Sequence, residues 1–356
     1  MLAPLLCGIS ALLLLGTLMA RLPSKWWWIR CLEFPRLQIA SVALLFGVLA
    51  LLLSPPGHWR TASIVLSLAT LALQSRYILP WTRLGKRQVR DSQERVAERE
   101  LTLLVANVLM DNRQADGLKC MIEREDPDIV LTLESDAWWE KELDEVLDEK
   151  WPHSAKVPLD NLYGMHLYSR YPLADCEVKW LIQDDIPSVH ARVQLPSEEW
   201  ITFYALHPRP PAPGESEKSL WRDAELLLVA KEIDEKGGPT LVAGDLNDVA
   251  WSRTTRLFAR TSGMLDPRRG RGMFSTFHAE YHLARWPLDH IFVSEHFTLG
   301  DMRRLEAFGS DHFPILARLQ YCPAEQNAVE TPSATAEEQR EASETIAEGK
   351  REEQET

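Results

Sequence analysis

Paired cysteines are missing from this chain. Its five cysteines, Cys7, Cys31, Cys120, Cys176 and Cys322, form no CxxC and no Cys/His cluster, which excludes a zinc-ribbon centre and gives no disulfide framework. Positive charge is also short: 39 Lys and Arg face 52 Asp and Glu, a net charge of −13. That balance disfavours sequence-blind adhesion to nucleic acid and argues against a histone-like role, although a local basic cleft around Arg268, Arg269 and Arg271 remains compatible with it. The shortage is uneven. Residues 1–96 hold 11 Lys/Arg against 3 Asp/Glu, whereas residues 321–356 hold 3 against 10. The latter segment is rich in Glu, Ala, Thr and Gln and has almost no large apolar residues, so 321–356 is expected to be a disordered acidic tail.

Charge is absent altogether from two long apolar stretches. Three blocks, at about 2–20, 37–53 and 61–79, approach the roughly 17 to 25 residues that cross a bilayer as a helix. The third contains Arg76, which leaves only fifteen uncharged residues after Arg60, so spanning requires Arg76 to snorkel. Trp26, Trp27, Trp28, Trp59, Tyr77 and Trp81 sit at the block ends, as interfacial aromatics do. No basic segment precedes the first block, which argues against a cleaved leader. Residues 1–83 therefore read as a multi-pass membrane domain, as in a bacterial inner membrane. Lys and Arg are dense in the first loop and after the third block, which places the exit and the globular residues beyond it on the cytoplasmic side. If the third block lies in the interface instead, that side is reversed.

Residues 84–100 read as a polar, helical juxtamembrane linker, and 101–320 as a globular domain. Short β-type runs at 101–106, 129–133, 165–168, 190–193, 200–205, 240–243, 290–293 and 315–319 alternate with helical stretches at 114–124, 138–148, 219–234 and 254–262. This order implies a sheet-based α/β or α+β layer fold.

Polar residues close these runs repeatedly: Asn107, Glu134, His207, Asp245, Asn247, Asp289, Asp311 and His312. Any one of them alone is more simply a turn former. Together they describe a site on the rim of a sheet. Asp245 and Asn247 lie two apart, on one face of a strand end, and Gly244 permits close approach to the backbone. The donors are hard oxygens and amides, which suit Mg2+, with Mn2+ or Ca2+ as alternatives, and Glu134 with Asp311 would suffice. Asp248 and Ser252 read as caps of the helix near Trp251, and Trp138 and Trp139 as helix anchors on the sheet. Arg209 and Arg222 are either phosphate contacts or solvated. His153, His166, His190, His278, His282, His290 and His296 read as surface or satisfied core histidines.

These motifs resemble the endonuclease/exonuclease/phosphatase superfamily over 101–319. They occur in the family's order: Asn107, Asp128-Ile129-Val130 leading to Glu134, His207, Gly244-Asp245-Leu246-Asn247, Leu288-Asp289-His290-Ile291-Phe292 and Ser310-Asp311-His312. The Trp-rich loop and His207-Pro208-Arg209-Pro210-Pro211 resemble a bacterial, multi-pass membrane-anchored branch. The resemblance implies a four-layer α/β sandwich, two mixed β-sheets packed face to face with flanking helices, here after three transmembrane helices. It implies a metal-dependent phosphoesterase, a phosphodiesterase or phosphatase using water. Glu134 would be the main Mg2+ ligand, with Asn107 and Asp311 nearby. Asp245 would align or deprotonate water, and Asn247 would hold the phosphate. His312, oriented by Asp289, would contact a phosphoryl oxygen, and His207 would assist phosphate binding or leaving-group protonation. The substrate would be nucleic acid, a phospholipid or a small phosphate ester, and no protein partner is expected. Leu133 stands where the family often has Gln, and Leu109 where nucleic-acid-cleaving members often have an acid. The competing reading is a catalytically silent membrane scaffold on the same fold.

Overall fold

A computed structural model of the chain describes residues 2–323 and 330–355. They form two units, one of residues 1–86 with 211–219 and 270–272, the other of the remainder.

The first unit is built on α1 (Leu2–Met19), the short α2 (Trp27–Arg30), α3 (Arg36–Leu53) and α4 (His58–Ile78). Helices α1, α3 and α4 are long and apolar enough to cross a membrane. Their outward faces carry exposed leucines; Leu12 and Leu52 are 67% and 71% exposed. Polar side chains turn inward instead. Ser63, Ser67, Thr70 and Gln74 lie on one buried stripe of α4, where Ser67 meets Ser10 at 3.1 Å and Gln74 Nε2 donates to Thr17 Oγ1 at 2.9 Å. These two hydrogen bonds join α4 to α1. Trp27 N donates to Glu217 O at 2.9 Å and Ser219 N to Lys25 O at 2.7 Å, which ties residues 211–219 to this unit.

The second unit is the layered domain. One sheet holds β1 (Glu100–Asn107), β2 (Ile129–Leu133), β3 (His153–Val157) and β4 (Met165–Ser169). The other holds β5 (Leu173–Lys179), β6 (Ser188–Gln194), β7 (Trp200–Ala205), β8 (Thr240–Asp245) and β9 (Asp289–Val293). The chain then returns to the first sheet with β10 (Phe297–Arg304) and β11 (Ile315–Tyr321). The orders are β10-β11-β1-β2-β4-β3 and β5-β6-β7-β8-β9. Each sheet is mixed, with one parallel pair, β1–β2 or β7–β8. Those pairs need crossovers; α5 (Ala115–Glu125) supplies the first and α7 (Leu220–Lys236) the second.

Period-two alternation explains the layers. In β1, Leu101, Leu103 and Val105 join Ile201, Phe203, Leu241 and Ile291 in the core between the sheets. Leu104 and Ala106 face outward, onto Leu118 of α5 and Trp139 and Leu143 of α6 (Ala137–Leu147). On the other side Tyr204, Val242 and Phe292 pack under α7 and α8 (Arg253–Ser262). The four layers are therefore helix, sheet, sheet, helix, as expected. Ser252 caps α8, accepting from Thr255 N, and Asp248 accepts from Ser252 Oγ.

Three strands escape the sequence pattern, and all are edges: β3, β5 and β10. An edge needs no continuous apolar run; β5 is largely exposed. The linker 84–100 forms no α-helix, only a single 3-10 turn at Ala97–Arg99. Its Arg90 O accepts from Leu299 N (2.8 Å) and Ser92 N donates to Leu299 O (2.9 Å), so it lies extended along β10 and covers that edge.

The tail also departs from the expected disorder. Residues 336–355 form α9 (Ala336–Glu355). Thr335 and Glu338 make a reciprocal capping box (Thr335 N to Glu338 Oε2, 3.0 Å; Glu338 N to Thr335 Oγ1, 3.3 Å). Ala342 and Ile346 reach Leu227 and Leu257 of α7 and α8. Gly349 lets α9 close on α7, since a Cβ there would stand 2.5 Å from Ala224 Cβ. The ion pairs Arg253–Glu341 (2.6 Å) and Arg260–Glu338 are part-exposed and contribute at most about 1 kcal/mol each. Small residues on one face thus dock a helix that composition alone could not place. Residues 324–329 of the expected tail lie outside the described residues.

Candidate functional site

Strand ends of both sheets meet at one rim. Asn107 closes β1 and Glu134 follows β2, its backbone in the left-handed region (φ 59°). His207 follows β7, Asp245 closes β8, and Asp289 opens β9 directly opposite Asp245 in the ladder. Asp311 and His312 precede β11. Gly244 is obligatory for packing: a Cβ there would lie 1.9 Å from Leu206 O, so the close approach it permits is that of the backbone just after β7.

His312 crosses from the first sheet to the second. Its Nδ1 lies 2.7 Å from Asp289 Oδ2 and its Nε2 3.5 Å from Asp245 Oδ2. These three side chains converge closely enough to resemble a cation cage, but both ring nitrogens face carboxylates. Burial alone would lower the imidazole's pKa, yet Asp289, Asp245 and Asp311 outweigh it and raise it to about 10. A protonated ring has no lone pair for a metal, so we read the trio as a carboxylate–imidazolium–carboxylate array. His207, whose Nε2 is 4.0 Å from Asp245 Oδ2, behaves oppositely: burial, opposed by Asp245, holds it down to about 4.

Asp245 Oδ1 accepts from Asn247 N (2.9 Å), while Oδ2 accepts from Asn107 Nδ2 (3.2 Å). Asn107 Nδ2 also donates to Glu134 Oε1 at 2.7 Å, and its Oδ1 accepts from Leu109 N at 3.1 Å. Asn107 therefore bridges two carboxylates. Burial, reinforced by Asp311 and Asp245 and opposed by Asn107 and His312, pushes Glu134 up to about 7. Asp311 Oδ1 and Asp289 Oδ1 are buried and have no hydrogen-bond partner. Glu134, Asn247 and Asp311 are half-buried and mark the mouth; Asn107, His207, Asp245, Asp289 and His312 lie beneath. All eight sequence-selected residues share this rim.

The model of the endonuclease/exonuclease/phosphatase family matches residues 104–312, more than half of the chain. The chain belongs to the endonuclease/exonuclease/phosphatase family. Solved structures that resemble it include an endonuclease/exonuclease/phosphatase from Beutenbergia cavernae, with 16% identity and a TM-score of 0.53, covering 64% of this chain and 72% of that one. D. rerio TDP2 complexed with single-strand DNA product is 17% identical with a TM-score of 0.51, covering 62% and 99%. At such identity they share the endonuclease/exonuclease/phosphatase fold. Comparison with curated proteins gives no match.

Sequence reasoning missed several supports of this family site. Ser310 Oγ donates to Asn107 O (2.8 Å) and accepts from His312 N (3.0 Å), joining β1 to the His312 turn. Arg222 is not a phosphate contact: it is buried, and its Nη1 donates to Asn247 O at 2.8 Å. Arg268 is likewise no part of a basic cleft, being fully buried against Asp266. The Asp266-x-Arg268 spacing was the available signal, since an acid two residues from an arginine can neutralise it inside.

Proposed function

We propose that residues 101–320 hydrolyse a phosphate ester by attack of water, aided by a divalent cation, Mg2+ before Mn2+ or Ca2+. The observation that carries this reading is the Asp289–His312–Asp245 array, beside two carboxylates, Glu134 and Asp311, that have no ion pair among the described residues. The donor set fits the ion. Glu134 is pushed up and Asp311 keeps a buried, unpartnered oxygen, as expected where crowded acids await a cation. Glu134 and Asp311 would hold it, with Asn107 orienting Glu134. Bound there, the cation would neutralise charge on the phosphoryl oxygens.

The chain's own groups supply the rest. Asp245 Oδ2 is fixed by Asn107 and stands where it can orient and deprotonate a water. The Asn247 amide donates one proton to Pro208 O (3.0 Å), leaving its second N–H to hold a phosphoryl oxygen. His312, charged at neutral pH and oriented by Asp289, offers a proton to the charge that develops in the transition state. His207, kept neutral, serves as a hydrogen-bonding group to phosphate and not as the acid for the leaving oxygen.

We also infer that α1, α3 and α4 span a bilayer and hold the enzyme on the cytoplasmic side of a bacterial inner membrane. A reporter fused after Gln320 should read cytoplasmic; a periplasmic reading overturns that topology. For the chemistry, the full chain in detergent is assayed on bis(p-nitrophenyl) phosphate, p-nitrophenyl phosphate, DNA and sphingomyelin, with Mg2+ or EDTA. Cation-dependent release from at least one ester supports the proposal, and the panel separates diester from monoester and nucleic acid from lipid. Absence of cation-dependent release from all four contradicts it.

A further inference from the structure

The ladder between β8 and β9 ends at Asp245 opposite Asp289. Beyond it one backbone bond remains, Leu246 N to Leu288 O at 3.1 Å, although catalysis by the proposed hydrolysis needs Asn247 and Asp289 in fixed relation. Buried side chains take over from the ladder. Arg268 is fully buried; its Nη1 donates to Asp289 O at 2.9 Å and its Nη2 to His290 Nδ1 at 2.6 Å, while Asp266 neutralises it at 2.6 Å. His290, also fully buried, places Nε2 2.9 Å from Asp248 O.

A guanidinium has no acceptor, so Nδ1 of His290 must carry the lone pair and Nε2 the proton, which goes to Asp248 O. One carbonyl earlier, Asn247 O accepts from Arg222, whose Nη2 is 2.8 Å from Asp223 Oδ1 and 3.4 Å from Asp248 Oδ2. Consecutive carbonyls of the Asn247 turn are thus gripped from two sides, by α7 and by β9. Asn247 itself sits at φ 51°, in the left-handed region that asparagine adopts more readily than other non-glycine residues.

We propose that Arg268, His290 and Arg222 form a brace that sets the spacing between the Asp289 turn and the Asn247 turn. They are positioning residues for the proposed hydrolysis, on which this inference rests. The brace touches no reacting atom. It aligns the His312–Asp289 pair with the phosphate-holding amide, and a displacement of about 1 Å there is worth on the order of 100-fold in rate.

The test uses the full chain. His290→Gln keeps an acceptor and a donor at the spacing of the two ring nitrogens; His290→Phe keeps the ring stacked on Phe292, 5.4 Å between centroids, and loses both bonds. The expected result is a kcat lowered at least ~10-fold in His290→Phe with KM and the Mg2+ activation midpoint within ~3-fold, and recovery by His290→Gln to within ~3-fold of wild type. A second readout needs no turnover: the downfield proton of the His312 Nδ1–Asp289 hydrogen bond should shift or vanish in His290→Phe and persist in His290→Gln. If His290→Phe does not fold, His290→Leu is measured in its place. Wild-type kcat and an unmoved His312 proton in the bond-breaking variant overturn the brace, as do equal losses in the Gln and Phe variants. If the wild-type chain hydrolyses no ester, the function reading fails while the proton resonance still decides the brace.

Discussion

On the first sheet, Glu134 and Asp311 stand beside one another, and among the described residues neither has an ion pair. On the second sheet, Asp245 and Asp289 flank an imidazolium that reaches over from the first, with His290, Arg268 and Arg222 fastening the turns behind them. The two halves hold equal numbers of acids and differ in counter-charge. One is finished by the chain's own groups; the other is left for something to bind. In the proposed hydrolysis, that difference separates the task of aligning water and stabilising charge from the task of holding a cation.

The largest effects should come from breaking the finished half. Asp245→Asn and His312→Gln should each lower kcat by at least ~100-fold at saturating Mg2+, the scale of lost base or charge-stabilising groups, with KM little changed. Steady-state kinetics on the best ester of the panel checks this.

The unfinished half should be revealed by stability. Glu134 has a folded pKa of about 7, above its ordinary 4.5, so between those values the folded chain binds more protons than the unfolded one. Stability is then present below pH 4.5 and is lost as pH rises through 7. Glu134→Gln should therefore raise the melting temperature of the cation-free chain at pH 8, on the order of 3 °C, and lower it relative to wild type when Mg2+ is saturating. Differential scanning calorimetry with EDTA or Mg2+ distinguishes these.

His207 gives the opposite pH sign. Its folded pKa of about 4 lies below the ordinary 6.5, so the unfolded chain binds more protons in that window and stability falls as pH drops from 6.5 towards 4. His207→Gln should flatten that loss, and Glu134→Gln should flatten the change between 4.5 and 7. Denaturant midpoints measured from pH 4 to 8 give both slopes.

The smallest effect on the rim should come from α9. Gly349→Leu forces a side chain against Ala224 and should undock the helix, seen as faster limited proteolysis after residue 330, while kcat stays within ~2-fold. A larger loss of kcat would join the tail to the site.

The rim was legible because each of its acids and amides interrupts an apolar run, and burial between a facing sheet and a helix layer makes such runs continuous. Interior strands were legible for the same reason. Edge strands β3, β5 and β10 were not, because a half-exposed strand needs no apolar pattern. Helix α9 was hidden by small residues, although the Thr335–Glu338 capping box was readable. The supports Arg222, Arg268 and His290 were hidden for a different reason: the neutralising acids Asp223 and Asp266 lie beside their arginines in sequence, but the groups gripped, Asn247 by Arg222 and Asp289 and His290 by Arg268, are brought near only by the fold.

The division of labour across the rim can be tested by titrating Mg2+ against turnover for Glu134→Gln and Asp245→Asn side by side. The account predicts that Glu134→Gln shifts the activation midpoint at least ~10-fold upward and regains much of its rate at high Mg2+, while Asp245→Asn keeps the wild-type midpoint and stays at least ~100-fold slow. A shifted midpoint in Asp245→Asn together with an unshifted one in Glu134→Gln would contradict it.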